Sequence, residues 1–362
     1  MTGTLLITGA SGYIGSRLAE RYLAMTDGRV VLWSHAIEAA QARTRRAKLE
    51  ERFANVLDRV TFATGDFAAD ASFAEVDALA VTEIVHGGAL TQFNIEAGAA
   101  DAANRAGSER VFEFAASCPR LRHIAYLGTV YSTGLSAGLV AESVLAEEPE
   151  FANHYEASKH RAERALATQF DCLPWSILRL ATVIADDESG QVSQVNAFHN
   201  TLRLLRYGLL PLLPGDPETP LYFVTGEFTV RSILSILLRE GRHEVWNLCH
   251  SRQEMLTVHE LLDIAFDTFR EDEDFRSRRI LRPLYADYST FQSLVAGLDG
   301  IGNPITAQAI RSVTPFAPQL YVRKDVANDR LRELNGGRAP DMTALLSSTC
   351  RSFMGKRPAR VS

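Results

Sequence analysis

The chain has 362 residues, 46% hydrophobic and 23% charged, with 38 basic against 44 acidic side chains and a formal charge of −6. This is the composition of an ordinary globular protein of one large domain or two lobes, and its acidic balance argues against nucleic acid or an anionic membrane as partner. Apolar runs stop well short of the ~18 residues that span a bilayer.

Met1–Thr8 has no basic start and leads straight into a strand, so no signal peptide is expected. Residues 4–8 (Thr-Leu-Leu-Ile-Thr) form that strand and end in a glycine cluster. Ile14, Leu18 and Tyr22 repeat at helical spacing and predict a helix over 14–25. A second strand is expected over 29–33, a polar helix up to about Phe53, and a third strand over 59–63 leading to Gly65-Asp66. Further strands are predicted at 83–86, 122–127, 176–180 and 244–248, with a helix from Tyr155 to Thr168. Strands alternating with helices predict an α/β fold with a doubly wound parallel sheet. The leucines of 202–213 read either as core of the smaller lobe, the better guess for most of them, or as a stiff non-helical apolar wall held by the prolines from Pro211 to Pro220. We divide the chain into 1–185 with 223–249 returning to it, a smaller discontinuous C-terminal lobe of 186–222 and 250–345, and a flexible tail over 346–362. Cys118, Cys172, Cys249 and Cys350 are too scattered for a disulfide framework, which points to a reducing cytoplasm. The nine histidines show no paired metal-ligand spacing, and no metal is expected.

Thr8-Gly9-Ala10-Ser11-Gly12-Tyr13-Ile14-Gly15 lies between the first strand and first helix. Gly9 permits the turn, Gly12 lets backbone amides approach a pyrophosphate, and Gly15 lets the helix pack closely, with the phosphates on the helix N-terminus. A dinucleotide site is expected, using Gly9, Ser11, Gly12, Tyr13, Ile14 and Gly15. Where an NAD site usually has an acid, the second strand runs Trp33-Ser34-His35. Its absence, with Ser34 and His35 in place, favours NADP(H), and NAD(H) stays open. Arg43, Arg45 and Arg46 are either phosphate partners or a solvated helix face. Asp66 is placed either for the adenine edge or as a turn cap, with Phe67 and Gly87 beside the same cofactor.

Tyr155-Glu-Ala-Ser-Lys159 puts a phenol and an ammonium on one helix face. The cation stabilises phenolate and so fits the phenol for proton transfer. Thr129, ending the fifth strand, faces the crevice where such sheets bind ligands. Asn104 either completes a relay to Lys159 through water or satisfies helix backbone.

Gly9/Gly12/Gly15, Gly65-Asp66, His86, Asn104, Thr129 and Tyr155/Lys159 together resemble the extended short-chain dehydrogenase/reductase superfamily, over about residues 4–262. Asn153–Lys159, Ile177–Val183 with Ser189-Gly190, Gly208–Gly215 and Val245–His250 look most like its thioester reductase and fatty acyl-CoA reductase branch. The resemblance implies a Rossmann domain and catalysis by Thr129, Tyr155, Lys159 and Asn104. It also implies NADPH-dependent reduction of an acyl thioester, on coenzyme A or a carrier protein supplied in trans, to an aldehyde or an alcohol, with a homodimer an open option. Leu32-Trp33-Ser34 departs from that branch's Leu-Val-Arg, which puts cofactor preference in question. The alternatives are a nucleotide-sugar epimerase or dehydratase, or a hydroxysteroid-like dehydrogenase, and more remotely a non-catalytic NAD(P)-binding sensor. Val130-Tyr131 after Thr129 is not the acidic pair expected of a 4,6-dehydratase, and a sensor usually lacks the Tyr or Lys kept here.

Overall fold

The computed structural model describes residues 3–69, 71–239, 241–300 and 304–354, which form two compact units. The first comprises Met1–Gly134, Glu142–Leu180 and Thr229–Leu248. Its centre is a sheet of β1 (Thr4–Thr8), β2 (Arg29–His35), β3 (Val60–Gly65), β4 (Glu83–His86), β5 (His123–Thr129), β6 (Trp175–Leu180) and β7 (Glu244–Leu248). The order is β7-β6-β5-β4-β1-β2-β3 and every pairing is parallel. This is the doubly wound Rossmann arrangement. Parallel strands are covered on both faces, which is why β1, β4 and β5 are almost wholly buried apolar runs rather than alternating ones.

The order reverses between β1 and β4. At such a switch point the loops leaving neighbouring strands diverge and open a crevice at the strand C-termini. Thr8 and His86 are paired across it, and Thr129 ends the next strand, β5. Helix α1 (Tyr13–Met25) leaves from β1, α2 (Ala39–Arg52) from β2, α3 (Gly107–Ala116) precedes β5, and α4 (His154–Thr168) precedes β6. The apolar face of α1, Leu18, Ala19, Tyr22 and Leu23, is buried. A π-helical turn, Asp101–Ala106, runs into α3.

The second unit comprises Leu135–Ala141, Ala181–Phe228 and Cys249–Ser362. Its strands are short and pair with distant partners, and this moves the boundaries read from the sequence. Gly138–Val140 pairs with Lys324–Val326, so 135–141 leaves the first unit. Thr182–Ala185 and Phe223–Thr225 pair with each other instead of joining the large sheet, which takes 181–185 and 223–228 with them. Residues 346–354 are not a tail. Met342–Met354 is a helix whose Met342, Leu345, Leu346, Cys350 and Phe353 are buried, and Gly190 at φ 78° lies against Ser348 too closely for any Cβ. The rest of the expected tail, 355–362, lies outside the described residues.

Over 202–213 the structure gives the core reading, and the stiff non-helical wall is corrected. Ala197–Arg206 is a helix, started by a capping box in which Asn196 and His199 bond each other's ends. Leu202, Leu205, Leu210 and Leu213 all enter the core of this unit. A leucine buried on every side has already lost its water to its neighbours and has no face left for a ligand. No helix among the described residues is long and apolar enough to cross a membrane. Cys118, Cys172, Cys249 and Cys350 form no disulfide.

Candidate active site

The glycine loop is built as its sequence demands. Gly9 has φ 73°, a conformation open to glycine, and a Cβ there would meet the Gly87 carbonyl carbon at 2.7 Å. A Cβ on Gly15 would collide with the Gly9 carbonyl oxygen, so both glycines keep β1, α1 and the Gly87 strand end in contact. Gly12 is the N-cap of α1 and brings no side chain to its first amides. Ser11 and Gly12 are exposed, and Tyr13 and Ile14 partly so. Uncapped amides at a helix N-terminus, reached over glycine, fit the pyrophosphate of a dinucleotide.

At the far end of β2, His35 is partly exposed, while Ser34 is 2% exposed with its Oγ buried and without a hydrogen-bond partner. Of the two, His35 is the side chain that reaches the surface, and Ser34 is set behind it. His35 Nδ1 lies 3.7 Å from Asp66 Oδ1 and accepts from the Phe67 amide at 3.4 Å. Asp66 Oδ1 accepts from the Ala68 amide at 3.0 Å, the turn cap weighed in the sequence. The Phe67 ring is buried, 4.4 Å from Trp33 and 5.3 Å from His35 between centroids. Arg46 pairs with Glu50 at 2.8 Å, as a solvated helix face does.

At the end of β5, Thr129 is hydrogen-bonded to Tyr155, and its Oγ1 also accepts from the Tyr131 amide at 3.3 Å. Helix α4 is capped by Asn153, which accepts from the Glu156 amide at 3.0 Å, and Glu156 reaches back to the Ala152 amide at 3.1 Å. That cap fixes Tyr155 at the second position of α4. Burial and the Glu156 carboxylate raise the Tyr155 phenol above its ordinary value, against the opposing bond from Thr129, so it stands protonated. Lys159, one turn on, is 2% exposed, with Nζ 4.2 Å from the centre of the Tyr126 ring. Burial pushes its ammonium down to about 7, with Glu163 pulling the other way.

Asn104 sits in the π-turn. Its Oδ1 accepts from the Leu90 amide at 2.8 Å, and its Nδ2 donates to the Leu90 carbonyl at 2.9 Å and to Ser158 Oγ at 3.0 Å. The side chain thus ties the loop after β4 to the residue beside Lys159. That loop carries Phe93, whose ring stands edge-on to Tyr155 at 5.8 Å. Behind it runs a polar chain that the sequence reading did not assemble. Ser108 donates to the Asn104 carbonyl, so it accepts from His86 Nε2 at 2.9 Å, and His86 Nδ1 then accepts from Thr8 at 2.6 Å. Burial holds His86 well below its usual value, in keeping with this neutral Nε2–H form. Among the described residues no group of His, Cys, Asp or Glu is arranged to hold a metal.

Residues 7–233, well over half of the chain, match the family model described as Male sterility protein, an NAD-binding family. The chain belongs to this family. It is 30% identical over 232 residues to the isonitrile lipopeptide synthase of Streptomyces coeruleorubidus, and 30% over 201 residues to one component of the linear gramicidin synthase of Brevibacillus parabrevis. These alignments take in 60% and 51% of this chain but only 16% and 4% of those much longer proteins. The fold is similar to the terminal R domain of the myxalamid PKS-NRPS pathway, at TM-score 0.73 and 19% identity, covering 98% of this chain and 90% of that one. A thiolation-reductase di-domain of an archaeal non-ribosomal peptide synthetase gives 0.71 at 14% identity, covering 98% and 75%. UDP-glucuronic acid 4-epimerase from Bacillus cereus, in complex with NAD, gives 0.65 at 16%, covering 97% and 96%. Beyond the residues singled out from the sequence, the structure brings Ser108 and Ser158 to Asn104 and sets Glu163 one turn beyond Lys159. The serine before Lys159 and the acid four residues after it were the signals available for two of them.

Proposed function

We propose that this protein reduces an acyl thioester, held on a carrier protein or coenzyme A, to an aldehyde, with NADPH as the preferred donor. The observation that carries the reading is the Tyr155 phenol, hydrogen-bonded to Thr129 at the mouth of the switch-point crevice with Lys159 one helical turn behind. The likeness to reductase domains of carrier-linked synthetases supports the thioester as substrate. The absence of an acid at the end of β2 itself and the partly exposed His35, which faces the Asp66 carboxylate at 3.7 Å, support NADPH, because neither Ser34 nor His35 brings a charge that repels a 2′-phosphate.

When bound, the nicotinamide supplies hydride. The glycine loop and the α1 amides would hold its pyrophosphate. A thioester carbonyl oxygen seated between Thr129 and Tyr155 in place of the bond they make to each other would receive a hydrogen bond from each hydroxyl as charge develops on it. Tyr155 gives its proton to that oxygen, forming a hemithioacetal, and Lys159 stabilises the phenolate left behind. Return of the proton to Tyr155 lets the carbon–sulfur bond break, and aldehyde and thiolate leave, the thiolate taking its proton from solvent.

Acyl-coenzyme A and acyl-carrier thioesters incubated with NADPH should give oxidised cofactor and free thiol in equal amounts, read by absorbance and a colorimetric thiol assay. Consumption of NADPH with aldehydes or ketones, and no thiol from any thioester, would leave a reductase of another substrate. Conversion of nucleotide sugars with no net cofactor oxidation would establish the epimerase alternative.

A further inference from the structure

Beneath the catalytic residues lies a buried charge pair that the proton transfer above does not use. Glu163 and Arg179 are each 1% exposed, and Arg179 Nε lies 3.1 Å from both carboxylate oxygens, with Nη2 bonded to the same group. Arg179 Nη2 also donates to the Ser143 carbonyl at 2.8 Å. Such a pair gains little stability over apolar residues of the same volume, so its presence under an active site asks for another account. Glu163 is one turn beyond Lys159 on α4, on the same face. Its Oε2 also takes a bond from Ser132 Oγ at 3.0 Å, and that hydroxyl is shared with the Thr129 carbonyl at 2.7 Å. His160, between Lys159 and Glu163 in the chain, bonds the Ser132 carbonyl through Nδ1 at 2.9 Å, leaving Nε2 buried without a partner. Ser132 is thus gripped from both its hydroxyl and its carbonyl by α4, in the short turn that begins at Thr129.

We propose that Glu163, anchored by Arg179, is the positioning residue of this site: through Ser132 it sets Thr129 opposite Tyr155, and through its charge it keeps the Lys159 ammonium protonated. The proposal rests on the assignment of Tyr155 and Lys159 as the proton-transfer pair. The groups around Lys159 are Tyr155, His160 and Glu163 on α4, Tyr126 on β5, the neutral His86 on β4, and Arg179 on β6 behind Glu163. Glu163 is the one carboxylate among them, and its pull opposes the burial that drives Lys159 down to about 7.

Glu163→Gln keeps the size and most of the hydrogen bonds and removes the charge. The alkaline limb of the kcat/KM profile should move down by roughly one pH unit, the lower end of what a nearby opposite charge does. Lys159 can also be read without turnover. The chain has four lysines, Lys48, Lys159, Lys324 and Lys356, so [13Cε]lysine labelling gives few resonances, and Lys159→Met assigns the relevant one. Its titration in Glu163→Gln should shift in the same direction as the kinetic limb. A loss of kcat that is uniform with pH, with the lysine titration unmoved, would reduce Glu163 to a structural part and overturn the proposal. If Glu163→Gln does not fold, Ser132→Ala decides, because it removes the bridge to Thr129 and keeps the ion pair. It should cut kcat at least tenfold with cofactor KM unchanged, and unaltered kcat would refute the proposal. Full activity in Tyr155→Phe would instead dismiss the underlying pair, and the lysine titration would still report whether Glu163 governs its charge.

Discussion

In the proposed reaction, Tyr155 and Lys159 divide one task between burial and charge. Tyr155 is held as a neutral phenol, and Lys159 is held near the point of losing its proton. Tyr155→Phe keeps the ring against Phe93 and loses the transferable proton, so turnover should fall roughly 10²–10⁴-fold while a dinucleotide fluorescence titration stays unchanged. Because Lys159 acts as a cation and its value is lowered to about 7, the free enzyme should lose kcat/KM as pH rises through that value, a limb absent in Lys159→Ala. These two residues were legible because a phenol and an ammonium four apart on a helix carry their chemistry in the spacing. Asn104 was harder: an asparagine's role depends on which backbone it meets, and Leu90 meets it only because the loop after β4 folds back on a π-turn. Glu163 and Arg179 are 16 positions apart on different elements, and nothing in the local pattern joins them.

At the scale of elements, the end of β2 and the helix Met342–Met354 stand in contrast. β2 was read as ending at Trp33 and runs on to His35, so the side chain that reaches the surface is His35, with Ser34 behind it. The unmodified protein should bind NADPH more tightly than NADH, and His35→Glu should reverse that order by repelling the 2′-phosphate, both measured by titration. Equal affinities in the unmodified protein would remove the significance given to the missing acid. The helix Met342–Met354 was misjudged because its basic neighbours suggested a solvated end, although its buried residues recur at three- and four-residue spacing. Leu346 is wholly buried there, and Leu346→Ala should cost about 2–5 kcal/mol in urea unfolding, as core truncations do. A surface helix would lose almost nothing.

For the molecule as a whole, stability should fall in acid for a reason set by two buried imidazoles. His123 bonds the Leu237 carbonyl at 3.0 Å and Ser176 at 2.8 Å, and burial with Arg242 lowers it to about 4 from an ordinary 6.5. Burial lowers His86 likewise. The unfolded chain takes up these protons near 6.5 and the folded one does not, so the contribution is complete above that pH and is lost as pH falls from 6.5 towards 4. One such histidine removes about 2 kcal/mol by pH 5. Urea midpoints at pH 7 and pH 5 should show the loss, and His123→Asn should flatten it. The seven-strand sheet could be read from sequence because each strand is a self-contained apolar run whose neighbours come in a regular order. The second unit could not, because its strands are two to four residues long and find partners far along the chain.

Those distant pairings give the two units different histories during synthesis. By the time Leu248 leaves the ribosome, all seven strands of the large sheet are available, and the dinucleotide-binding half has every residue it needs. The second unit has to wait: Gly138–Val140 has no partner until Lys324–Val326 emerges, and Leu345, Leu346 and Cys350 enter its core later still. For about a hundred residues of translation, a finished nucleotide-binding half is joined to segments whose apolar faces are uncovered. A bound dinucleotide would stabilise the early half throughout that interval by mass action. The chaperone requirement of the nascent chain should therefore come from residues 181–228 waiting for the last stretch of the chain.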